Sequence, residues 1–114
     1  MKLIPHKEYR NNVVRMFSHS VDCLNWLTVD VGTNCPQGGD WGHGGRTVLR
    51  IINEHQTNIQ VGVDRGPLKP VDQIEIVLGG DSEASTFLEG LEFAVRVLRD
   101  QLSRSEVGRD ERFA

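Results

Sequence analysis

From Asp81 onward the chain carries apolar residues every three or four positions: Ala84, Phe87, Leu88, Leu91, Ala94, Val95, Leu98 and Leu102. At about 100° per residue they form one stripe, which predicts an amphipathic helix over 82–103, capped by Asp81 or Ser82 after Gly79-Gly80. A helix of that length needs an apolar surface to lie on, because propensity alone leaves it marginal in water. This requirement narrows the fold more than any other feature, since the rest of the chain must supply that surface.

The preceding residues supply it as strands. From Val21 to Val31, Val21, Cys23, Leu27, Val29 and Val31 share one side while Asp22, Trp26, Thr28 and Asp30 share the other. Asn25 is the defect on the apolar side. Such period-two alternation with β-branched residues marks a half-buried strand. Val13–Ser18, Thr47–Asn53, Asn58–Val63 and Val71–Leu78 read as further strands, and the short turns between most of them favour an antiparallel meander. The expected fold is α+β: a two-layer sandwich of about four to five antiparallel strands covered by one C-terminal helix. A single domain over 1–114 is expected, with an N-terminal arm at 1–12, the sheet over 13–78 and a charged flexible tail at 104–114. The helix stripe is expected to cover one sheet face. Phe93 points away from the stripe, with Val97 and Gly90 toward its flank, and these three predict a contact in a homo-oligomer.

One connection is too long for a hairpin. Six of the chain's 12 glycines fall between Gly32 and Gly45, in the segment GTNCPQGGDWGHGGR that ends at Arg46. Hairpin loops usually have about 2–5 residues, and long loops in small domains tend to carry function. Gly38, Gly39, Gly42, Gly44 and Gly45 leave backbone N–H groups unobstructed, which suits an anion-binding nest. Arg46 adds a forked donor for a phosphate or carboxylate, and Trp41 a platform for a flat ring. With Asp40 and His43 these residues form the candidate ligand loop. It matches neither GxxxxGK[ST] nor a GxGxxG ahead of a helix, and consecutive tight turns held by Asp40 and His43 would explain the same residues structurally. Arg50, Arg65 and Lys69 are supplementary cations.

Catalytic patterns are weaker. Asp40 and His43, with His19 or His55, are metal-ligand types without a metal-site spacing. Cys35 with His43 is the best nucleophile pair, while Ser18-His19-Ser20 lacks a nucleophile elbow. No catalytic residue, cofactor or metal is assigned. The formal charge of −3 argues against general binding to a nucleic-acid backbone. No run approaches the ~20 apolar residues of a membrane helix, and Cys23 and Cys35 fit neither a CxxC nor a zinc pattern, so a reduced cytoplasmic protein is expected. The expected function is non-enzymatic binding or sequestration of a phosphorylated, nucleotide-like molecule, of the kind a phage or mobile element would use against a nucleotide signal. A metal- or Cys/His-dependent hydrolase or lyase is one alternative. A protein-binding inhibitor or adaptor is the other.

Overall fold

The computed structural model describes residues 1–9, 12–22 and 24–104. Five strands form one antiparallel sheet in the order β1-β2-β3-β4-β7: β1 (Lys2–Tyr9), β2 (Asn12–Asp22), β3 (Trp26–Thr33), β4 (Arg46–His55) and β7 (Gln73–Gly79). Between β4 and β7 the chain makes a small hairpin of its own, β5 (Ile59–Val61) with β6 (Lys69–Val71). One helix, α1 (Asp81–Arg104), follows β7 and packs its first turns against the sheet. The result is the two-layer α+β meander with a C-terminal helix that the periodicities predict. The expected tail lies almost wholly outside the described residues.

Several strand boundaries differ from expectation. Asn58–Val63 contributes only β5, which pairs with β6 outside the five-stranded sheet, and Val71–Leu78 is divided between β6 and β7. The run Val21–Val31 is the end of one strand and the start of the next, with the chain turning at Leu24-Asn25. Its alternation survives because Val21 and Leu27 are cross-strand partners and so point to the same face. Asn25, the break in the apolar pattern, lies in that turn. The segment 1–12 is mostly strand rather than arm: β1 pairs with β2 from Lys2↔Ser18 to Tyr9↔Asn12, with a register shift between Ile4 and Lys7. Pro5 sits inside that irregularity, where a missing N–H is tolerated.

The two sheet faces have different jobs. One holds the fully buried Val14, Met16 and Val48, flanked by Ile4 and Val77. Farther along the same face lies a cross-strand row, Asp30↔Arg50↔Glu75. Arg50 donates through Nε (3.1 Å) and Nη2 (2.9 Å) to Asp30 Oδ2, and through Nη1 to Glu75 Oε2 at 3.4 Å. Arg50 is thus fully engaged by two carboxylates rather than left to reach a ligand. The opposite face carries the row Phe17↔Val31↔Leu49↔Ile76 across four strands, and this apolar row faces α1.

The helix does not cover that face as its stripe predicts. Ala84 and Phe87 are half-buried, whereas Leu88, Leu91, Ala94, Val95, Leu98 and Leu102 are exposed, and no residue of α1 is fully buried. The cause is geometric. The helix leaves the end of an edge strand, contacts β7 and β4 sparsely, and lines the cleft against the sheet only as far as Leu91. At 1.5 Å per residue a helix of 24 residues is about 36 Å long, so most of it runs past its contacts with the sheet.

Candidate functional site

The Gly32–Arg46 connection is a shaped loop closed at its base by asparagines. Asn34 N–H donates to Arg46 O (3.1 Å), and Arg46 N–H returns a bond to Asn34 Oδ1 (2.8 Å). Asn34 Nδ2 donates to Asn12 Oδ1 (2.8 Å), and Asn12 Nδ2 reaches Gly44 O (3.3 Å), tying the loop to the start of β2. Neither asparagine stands out in the sequence, because each works by holding backbone groups 12 or more positions away.

The tip is built around Asp40. Its main-chain oxygen accepts from His43 N–H (3.2 Å) and Gly44 N–H (2.6 Å), and its carboxylate accepts from Gly42 N–H (3.0 Å). That last bond holds the Asp40 carboxyl below its ordinary value. His43 is 90% exposed, with Nδ1 3.7 Å from Asp40 Oδ1. Neither His19 nor His55 joins this pair: among the described residues no three ligand-type side chains gather. The Cys35 thiol contacts Thr47 Oγ1 (3.8 Å) and Gly80 O (3.7 Å), not an imidazole. Cys35 is free, and Cys23 lies outside the described residues.

The arginine assigned to a ligand anion serves the loop instead. Arg46 is 1% exposed. Its Nη1 donates to Gly44 O (3.1 Å) and Gly45 O (3.0 Å), and its Nη2 to Trp41 O. The guanidinium also lies over the Trp41 ring, 4.3 Å from the centroid. The indole rests against Gly79, where a Cβ would come within 2.2 Å of Trp41 Cε3. Arg46, Trp41 and Gly79 are therefore one packed unit. Arg46 is spent on three carbonyls, and one face of Trp41 is taken by Arg46.

An anion nest does form, one step earlier than the sequence suggests, and it is filled from within the chain. Gln37 N–H (3.0 Å) and Gly38 N–H (2.8 Å), the latter at φ 74°, donate to the two carboxylate oxygens of Asp81 in the first turn of α1. These bonds, Gln37 first, lower the Asp81 carboxyl from its ordinary value. Gly80 N–H donates to Gly45 O (2.9 Å), so loop and helix are latched at two points.

What remains open is a cleft of about 830 Å³ between the apolar sheet face and the start of α1. Phe17, Val31 and Leu49 form one wall, Phe87, Leu88 and Leu91 the other, and Cys35 with Pro36 bring the loop to its rim. Its polar groups are few. Thr33 and Thr47 hydroxyls lie 2.8 Å apart, and Arg15 stands over the Phe17 ring at 5.9 Å. Arg15 is exposed and pairs with no carboxylate among the described residues. Arg46 and Arg50 are fixed by their own partners, whereas Arg15 keeps its donors. The sequence gives no sign of this, since Arg15 is one charge inside a strand, and only the register across β2, β3 and β4 reveals the surface beside it.

No family model matches this chain, and neither a curated protein nor a solved structure is significantly similar to it. Any functional reading rests on the geometry itself. Among the described residues, no helix is long and apolar enough to cross a membrane.

Proposed function

We propose that the protein binds, without turning over, a phosphorylated nucleotide-like molecule, and that the molecule lies in the cleft between the sheet and α1 rather than on the glycine-rich tip. The observation that carries this reading is the pairing of an apolar-walled cleft of about 830 Å³ with the guanidinium of Arg15, which meets no carboxylate among the described residues. Ligand sites are concave and mostly apolar, with a few polar groups that fix orientation. A flat base fits between the Phe17 side of the sheet and the helix wall, and a phosphate reaches the fork of Arg15. The Thr33 and Thr47 hydroxyls are close enough to bond a sugar or a base edge. Asp81, the carboxylate on the lining, accepts bonds from the loop and so is drawn away from a bound anion.

The one thiol on the cleft lining, Cys35, contacts Thr47 Oγ1 and Gly80 O rather than an imidazole, which favours binding over catalysis. The test is calorimetric titration against nucleotides, cyclic nucleotides and sugar phosphates. Arg15→Ala is expected to weaken a phosphate-bearing ligand by about 1.5–3 kcal/mol, one to two decades in Kd. The ligand should be recovered chemically unchanged after denaturation. A panel without a binder, or a binder indifferent to Arg15→Ala, overturns the assignment.

A further inference from the structure

The uncovered stripe of α1 is a self-complementary surface, and we infer that two copies of this chain pair through it with their helices antiparallel. Val95 is 48% exposed, Leu98 56% and Leu102 69%, which is far more apolar surface than a single helix ordinarily leaves to water. The spacing also suits another helix. Ala84, Leu91 and Leu98 recur every seven residues, followed by Leu88, Val95 and Leu102 at the same interval. A repeat of seven is the seam along which two helices interlock side chains.

Charge fixes the occupant and its direction. Along one border of the stripe lie Glu92 and Arg99, both exposed, and neither forms an ion pair among the described residues. In an antiparallel pair of identical helices, like borders meet like borders in reversed order. A two-fold axis near Val95 then sets Leu88 level with Leu102 of the second copy, and brings Leu91 within about a residue's rise of its Leu98 and Glu92 within the same distance of its Arg99. Each of these contacts occurs twice, as a closed two-fold interface requires. A parallel pair loses the match: the opposite border carries Glu83, Gly90 and Gln101, so Glu92 and Arg99 find no shared oppositely charged row. More broadly, Asp81, Glu83, Glu89 and Glu92 crowd the first half of α1, while the second carries Arg96, Arg99 and Arg104 against one acid, Asp100, with which Arg104 pairs. Reversal places acidic half against basic half.

This assigns the contact to the apolar stripe, whereas the sequence pointed to Gly90, Phe93 and Val97. Phe93 is 58% exposed, with the Arg96 guanidinium 5.7 Å from its ring centroid, and lies away from the seven-residue repeat that carries this inference. Leu88 and Leu91 belong both to the wall of the cleft and to this seam, yet the two readings fail separately: one is tested by mass, the other by heat of binding.

Light scattering coupled to size exclusion should find the wild type as a dimer at micromolar concentration. Val95→Asp, at a position exposed in the single chain, should give a monomer with unchanged circular dichroism. Glu92→Arg and Arg99→Glu should each weaken the dimer about ten-fold or more, and the double variant E92R/R99E should recover it, because the swap restores both pairs. Val95→Cys, with Cys23 and Cys35 changed to Ser, should cross-link to a covalent dimer on mild oxidation. A monomeric wild type overturns the inference, whether the stripe then stays open or takes a different protein. So does a dimer that ignores Val95→Asp, or one in which the charge swap fails to rescue.

Discussion

Replacing Arg46 with alanine separates a structural arginine from a ligand arm. Its guanidinium serves three main-chain carbonyls, those of Trp41, Gly44 and Gly45. Hydrogen bonds to a charged group contribute about 1.5–3 kcal/mol each, so three set a ceiling of about 4.5–9 kcal/mol. The loss falls well below that ceiling, because the loop tip can relax and water can reach the carbonyls once the side chain is gone; Trp41 is already 46% exposed. A net loss of about 3 kcal/mol is expected, including the stacking on Trp41. With a urea slope of about 1.5 kcal/mol per molar for a domain of this size, the midpoint should fall by about 2 M. Arg46→Lys keeps the charge but not the fork, and should lose roughly half as much. Urea unfolding followed by circular dichroism and by tryptophan emission measures both. A midpoint that moves by less than about 0.5 M would refute the reasoning, because Arg46 would then be free to serve a ligand.

Two further outcomes follow from the same corner of the fold. Gly79→Ala drives a methyl into the Trp41 ring and should cost about 1–3 kcal/mol of overpacking; in a Trp26→Phe background the emission of Trp41 should shift to the red, and an unshifted spectrum would contradict the packing. The Asp81 carboxyl is lowered in the folded chain by Gln37 and Gly38 N–H, so its deprotonated form is the one favoured by folding. The resulting stability is present in full above the ordinary carboxyl range, about pH 5 and higher, and is lost as pH falls through the lowered folded value. Urea midpoints of wild type and Asp81→Asn should differ by a constant amount from pH 7 to about 5 and converge below about pH 4, whereas a difference independent of pH would show that the latch is not ionic.

The outline of this fold is readable in the sequence because parity and helical period are local properties. Leu27, Val29 and Val31 declare a face, and Leu91 and Leu98 a stripe, whatever lies around them. The turn after Asp22 was hidden because a short turn preserves parity, so Val21 and Leu27 look like one strand although they face each other across two. β1 was obscured by Pro5 and by polar residues suited to a sheet edge. In the loop, the sequence points to an amide nest and a nearby arginine but not to their partners. Asp81 lies 43 positions from Gly38 and fills the nest, and the carbonyls that occupy Arg46 belong to the loop itself. The helix periodicity says that a stripe needs cover without saying whose. The cleft beside Arg15 exists only once three strands are in register.

The irregular stretch of β1 bears on how copies of this molecule can meet. An outermost strand normally offers a row of unmet N–H and C=O groups, a template on which a neighbour can add another strand and begin a growing aggregate. Here that strand breaks register between Ile4 and Lys7, has in Pro5 a residue with no N–H to give, and carries Lys2 and Lys7. A neighbouring backbone laid alongside would meet a gap in its ladder and positive charge at both ends of it. The sheet therefore stops at its own first strand, and assembly is steered away from open-ended growth toward contacts that close on themselves.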